Sequence, residues 1–171
     1  MGRLTFITGP VRSGKSQLAV ERARDWGDHT VFVATYHRDP NDAEMTERVR
    51  RHRSARPQWR TLEAPADVAA SLMALMPAPS GVIIDCLTLW ASARFGETDE
   101  QLKAAWTQQL LTLTAAAWPV IVVSNELGWS LVPPDPDARR FRDLAGNLAQ
   151  LTSAAAHDVW LVVAGCPLRL K

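Results

Sequence analysis

Eight residues near the amino terminus, Gly9-Pro10-Val11-Arg12-Ser13-Gly14-Lys15-Ser16, constrain this chain more than any other feature. They match the spacing G-x-x-x-x-G-K-S/T. The apolar run 4–9 precedes them, and a stretch with helical spacing of Leu18, Ala19, Ala23 and Trp26 follows. A random chain of this length carries the spacing on the order of 1% of the time or less. Glycines let backbone N–H groups curl around a phosphate without Cβ collisions. The helix that follows adds its amino-terminal donors and partial positive charge. The sequence therefore predicts a nucleoside triphosphate site in which Gly9 to Ser16 wrap the phosphates. Lys15 would reach the β- and γ-phosphate oxygens, and Ser16 would offer its hydroxyl to Mg²⁺.

The rest of the chain alternates in the same way. Strands are expected at 4–9, 30–36, 58–62, 81–90, 119–126 and 158–165. Helices are expected at 16–26, 42–56, 65–76, 99–118 and 139–157, and the Pro-rich segment 127–138 is expected to be a loop. Continuous apolar strands separated by helices mean that both sheet faces are covered, which predicts an α/β fold with a mostly parallel sheet. With 171 residues and no linker or repeat, the chain reads as one domain, 1–171.

Composition narrows the partners. Net charge is +1, from 19 basic and 18 acidic side chains, so nothing calls for nucleic acid. No run approaches the roughly 20 apolar residues that span a bilayer. The amino-terminal segment lacks the form of a signal peptide. Cys86 and Cys166 both lie in apolar runs and read as buried small hydrophobes in a reducing, cytoplasmic protein. The four histidines have no metal-ligand spacing, so no structural zinc is expected.

Two further places carry candidate chemistry. Asp85 closes the apolar run Val82-Ile83-Ile84. A carboxylate at that end of a central strand suits a magnesium ion or its water, although an Asp that caps the following turn has the same look. In 42–56, Arg48, His52 and Arg56 are spaced by four and share a face if the segment is helical, with Arg51 and Arg53 flanking the histidine. Guanidinium forks suit phosphate oxygens, and surrounding positive charge favours a neutral, nucleophilic imidazole. A solvated basic helix face with a bystander histidine fits the same spacing.

Several segments together resemble one family. They are Thr8-Gly9 with Arg12 to Ser16, Ala34-Thr35, Glu44-Met45 with Arg48-Val49 and His52, and Arg56-Pro57 with Trp59-Arg60-Thr61 and Glu63. Further on come Asp85 to Trp90, Ser124 to Gly128, Arg140 to Asp143, and Gly165 to Leu168. The chain resembles, over nearly its whole length, the bifunctional adenosylcobinamide kinases / adenosylcobinamide-phosphate guanylyltransferases of cobalamin biosynthesis. The resemblance implies a RecA-like P-loop fold, phosphorylation of adenosylcobinamide with ATP or GTP, and transfer of GMP from GTP to give adenosylcobinamide-GDP. It implies a guanylylated histidine at His52, catalytic roles for Lys15 and Asp85, and metal contacts from Ser16 and Asp85. Arg48, Arg53, Arg56 and Glu63 join the nucleotide-binding residues. It also implies a homotrimer. Two alternatives remain at this point: a monofunctional small-molecule kinase with His52 a bystander, and a RecA-like nucleotide-gated assembly protein.

Overall fold

A computed structural model describes residues 2–37, 47, 49, 50, 53 and 58–171. The expected helix over 42–56 lies almost entirely outside the described residues. Seven strands form one sheet: β1 (Leu4–Thr8), β2 (Thr30–Ala34), β3 (Arg60–Glu63), β4 (Gly81–Asp85), β5 (Val120–Val123), β6 (Asp158–Val163) and β7 (Cys166–Arg169). Their order is β3-β2-β4-β5-β1-β6-β7. All neighbours are parallel except β6 and β7, which pair antiparallel. The helices with both ends among the described residues are α1 (Lys15–Ala23), α2 (Val68–Met73), α3 (Leu87–Ser92), α4 (Asp99–Ala115) and α5 (Pro136–Ala155).

Alternation along each strand sends side chains to opposite faces, and the core divides accordingly. Leu4, Phe6, Val82, Ile84, Val120 and Val122 pack under α2 to α5, around the fully buried Trp106 and with Leu144 and Leu148. Ile7, Phe32, Ile83, Ile121 and Val123 pack on the other face against Ala19 and Ala23 of α1. Trp106 satisfies its one donor by bonding Thr152 Oγ1 at 2.8 Å, which ties α4 to α5. Arg140 of α5 reaches back to Asp99 Oδ1 at 2.8 Å, fixing the start of α4.

Several boundaries differ from the sequence reading. The run 81–90 is not one strand: β4 stops at Asp85, and Leu87 to Ser92 turn into α3. A continuous apolar run looks the same as a buried strand or as a strand followed by a buried helix. Pro65 does not open α2; Asp67 caps it by accepting from the Ala70 N–H at 2.8 Å, and the helix ends at Met73. The loop after β5 ends sooner than expected, because Asp135 caps α5 and Pro136 sits in its first turn, where the missing N–H is harmless. Strand β7 adds an antiparallel edge that the sequence reading lacks. Cys86 is buried as expected, whereas Cys166, on that edge strand, is exposed.

Candidate functional site

Because six strands run in parallel, their carboxyl ends share one edge of the sheet, where open α/β sheets bind ligands. The loop between β1 and α1 occupies the middle of that edge. Its two ends of the motif are glycine for distinct reasons. A Cβ on Gly9 would stand 2.2 Å from the Val162 carbonyl oxygen, so only glycine lets the loop leave β1 this close to β6. Gly14 has φ 100° and forms the left-handed turn into α1. Arg12 is also left-handed, with φ 59°. The loop is braced on both flanks. The Glu126 N–H donates to Gly9 O at 2.9 Å from the segment after β5, and the Gly165 N–H donates to Ser13 O at 2.9 Å from the β6–β7 turn. Lys15 is buried, 6% exposed, and its Nζ donates to Pro10 O at 2.6 Å and contacts Ser13 Oγ at 3.4 Å. The ammonium is thus folded across the loop it would share with a phosphate. Ser16 lies partly buried in the first turn of α1, while Pro10 and Val11 form the outer shoulder, Val11 being 57% exposed.

Asp85 ends β4 on the face that Ile83 shares with α1. Its Oδ2 is buried without a hydrogen-bond partner, and a buried carboxylate oxygen in that state calls for a cation or an ordered water. Asp85 and the Ser16 hydroxyl are oxygen donors of the kind Mg²⁺ takes, and would suit it where few protein ligands are needed. Among the described residues no cluster of three or more His, Cys, Asp or Glu side chains would hold a metal by itself.

Strand β5 stands between β1 and β4, so the carboxyl ends of those two strands are two strand spacings apart, roughly 10 Å. A polar chain runs along the edge from the end of β2, past the end of β4, to the end of β5. Thr35 Oγ1 accepts from the Cys86 N–H at 2.8 Å and donates to Cys86 O at 2.7 Å. Cys86 Sγ lies 3.1 Å from Thr88 Oγ1, and Asn125 Nδ2 donates to Thr88 Oγ1 at 3.0 Å. Burial, with the neighbouring Asp85 charge, pushes the Cys86 thiol up to about 11, so this sulfur stays protonated and unreactive.

Of the residues singled out in the sequence, Gly9 to Ser16, Asp85 and Glu63 all lie along this edge. Glu63 closes β3 and pairs with Arg53, so two of the expected nucleotide-binding side chains are bonded to each other. Arg48, His52 and Arg56 lie outside the described residues. The sequence reading gave no role to Thr35, Thr88 and Arg142. The first two meet only through folding, and their signal was limited to short polar side chains just beyond apolar strands.

This architecture defines a class: a P-loop nucleotide-binding protein of RecA-like fold. The RadB recombinase superimposes with a TM-score of 0.55 at 21% identity, covering 94% of this chain and 74% of its own. An ATPase from the type III secretion system of pathogenic bacteria gives 0.61 at 13% identity, covering 94% of this chain and 51% of its own. Those identities speak for the fold alone. Residues 5–170 match the family cobinamide kinase / cobinamide phosphate guanyltransferase, and the chain belongs to it. The bifunctional adenosylcobalamin biosynthesis protein CobP of Pseudomonas aeruginosa is 38% identical over 168 residues, spanning 97% of this chain and 96% of that protein. The bifunctional adenosylcobalamin biosynthesis protein CobU of Salmonella typhimurium is 32% identical over 183 residues, spanning 98% and 99%.

Proposed function

We propose that this protein catalyses two successive reactions of adenosylcobalamin biosynthesis. In the first, the side-arm hydroxyl of adenosylcobinamide takes the γ-phosphoryl group of ATP or GTP. In the second, the resulting phosphate takes GMP from GTP, releasing pyrophosphate and giving adenosylcobinamide-GDP. The observation that carries the reading is the phosphate loop, with Lys15 folded inside it, in a chain that belongs to this family from end to end.

Phosphoryl transfer needs positioning and charge neutralisation more than covalent help from the protein. The amides of Gly9 to Ser16 hold the phosphates, and Lys15 exchanges its bond to Pro10 O for a phosphate oxygen. Ser16 and Asp85 would hold Mg²⁺, which when bound neutralises phosphate charge. For the second reaction His52 is the proposed nucleophile: its imidazole attacks the α-phosphorus, pyrophosphate leaves, and the corrinoid phosphate then displaces the histidine. Arg48, Arg53 and Arg56 would steady the phosphate oxygens during both displacements, and the Arg53–Glu63 pair would open when a nucleotide enters. We place the enzyme in the cytoplasm as a homotrimer, as the resemblance to the family implies; among the described residues no helix is long and apolar enough to cross a membrane.

The test is covalent labelling. GTP carrying label in its α-phosphate should leave label on the denatured protein, labile to acid and stable to alkali, as a phosphoramidate is. His52→Ala should abolish it. Labelling of that variant at the parental level would remove His52 as the nucleophile, and a parent protein that takes no label would favour a monofunctional kinase.

A further inference from the structure

A cavity opens directly off the outer shoulder of the phosphate loop. It has a volume of about 390 Å³ and is bounded by Val11, Leu127, Trp129 and Pro133, with Glu126 and Arg142 as its charged members. Its outer wall is the loop between β5 and α5. Arg142 pins that loop by donating to Gly128 O at 2.8 Å and Leu131 O at 3.2 Å, and Arg139 does so by donating to Pro133 O at 2.9 Å. The loop is held by its backbone while its apolar side chains face outward: Trp129 is 60% exposed, Val132 71% and Leu131 93%. Large apolar side chains fixed at the rim of a phosphate site form a surface for a ligand with an apolar body. The volume is at the small end for ligand pockets, so the cavity takes a side arm and one edge of a large ring, with the exposed rim under the remainder.

Glu126 is the carboxylate in this cavity. Its backbone N–H donates to Gly9 O, which fixes it against the first residue of the phosphate loop. Its Oε1 accepts from the Gly128 N–H at 2.7 Å, and the residue lines the cavity with a second carboxylate oxygen to offer. Building on the function proposed above, we propose that this cavity is the acceptor subsite of the kinase reaction, and that Glu126 is its general base. The acceptor hydroxyl oxygen bonds to the γ-phosphorus as the bond from that phosphorus to the β,γ-bridging oxygen breaks. The nucleoside diphosphate leaves with the electron pair, and the hydroxyl proton passes to the Glu126 carboxylate. Trp129 carries the apolar edge of the acceptor. The guanylyl step has a phosphate as its acceptor and has no such proton to remove.

The experiment separates the two half-reactions. Glu126→Gln keeps an oxygen to accept from Gly128 but cannot take a proton. Its kcat for phosphorylation of adenosylcobinamide should fall 100-fold or more. Transfer of GMP to separately prepared adenosylcobinamide phosphate should fall less than threefold. Trp129→Ala should raise the KM for adenosylcobinamide about tenfold, with the KM for nucleotide changed less than twofold. A Glu126→Gln kinase rate within threefold of the parent would overturn the base assignment, as would equal loss of both half-reactions, which would mean that Glu126 only shapes the loop. An unchanged corrinoid KM in Trp129→Ala would overturn the subsite. A parent protein inert toward adenosylcobinamide would sink the reading of function itself, and the subsite with it.

Discussion

Asp158 opens β6 with its carboxylate largely buried, and two arginines converge on it. Arg3 Nη2 bonds Oδ1 at 3.0 Å while its Nε holds Oδ2, and Arg169 Nη2 bonds Oδ1 at 2.8 Å. The hydrogen bond from Arg3, helped by the charges of both arginines, holds this carboxyl below the usual carboxylate range even though burial opposes the shift. A depressed native value stabilises the fold above the unfolded value near pH 4 and loses that contribution as pH falls through the native one. Asp158→Asn should therefore lower stability at pH 7 by about 1–2 kcal/mol, and the gap from the parent should close below pH 4. Urea unfolding at pH 7 and pH 3 reads both values; a gap that stays constant would dismiss the ion pair as a source of stability. The cysteines divide at the same scale. Iodoacetamide at pH 8 should modify one thiol per folded chain, the exposed Cys166, and two in urea. Early loss of Cys86 would contradict its burial and its raised pKa.

Helix α4 carries its own start signal. Thr98 Oγ1 accepts from the Gln101 N–H at 3.3 Å, and Gln101 Oε1 accepts from the Thr98 N–H at 2.9 Å, a reciprocal pair that satisfies two otherwise orphaned donors. Thr98→Ala should lower stability by about 1 kcal/mol, measured as a shift in urea midpoint at constant slope; no shift would mean that packing of Trp106 alone sets this helix. Signals of this kind are local, which explains what could be read from the chain. The strands of the sheet centre and the long helices were visible because their periodicity and caps are written within a few residues. The division of 81–92 into β4 and α3 was not, because Leu87, Thr88 and Trp90 are buried and no breaker separates them from Asp85. Strand β7 was invisible for the opposite reason: all four of its residues are exposed, one is Pro167, and it exists only by pairing with β6.

At the scale of the molecule, ligand and fold stabilise one another. GTP with Mg²⁺ at about 100 times its dissociation constant adds about 2.7 kcal/mol to the folded state, which for a chain of this length raises Tm by roughly 5–10 °C. Lys15→Ala should lose most of that rise while the nucleotide-free protein keeps its own Tm within a few degrees. A parental shift in the variant would separate Lys15 from the phosphates. The candidate site was legible in part. Gly9 to Ser16 and Asp85 are marked by motif and strand position. The chain from Thr35 through Cys86 and Thr88 to Asn125 joins residues up to 90 apart in sequence, and the wall made by Trp129 and Arg142 depends on where α5 docks. Neither leaves a pattern in a linear reading.

The placement of β5 has a consequence for how such a molecule can be adapted. The Gly9–Ser16 loop follows β1 and Asp85 ends β4, and β5 between them ends in a segment tied to the phosphate loop by the backbone bond from Glu126 to Gly9. Whatever that segment presents to the opening, whether an indole, a carboxylate or a docking surface for another chain, can be exchanged while the backbone tie stands. One frame can then present different surfaces beside the same loop, with the choice written in the dozen residues that follow Val123.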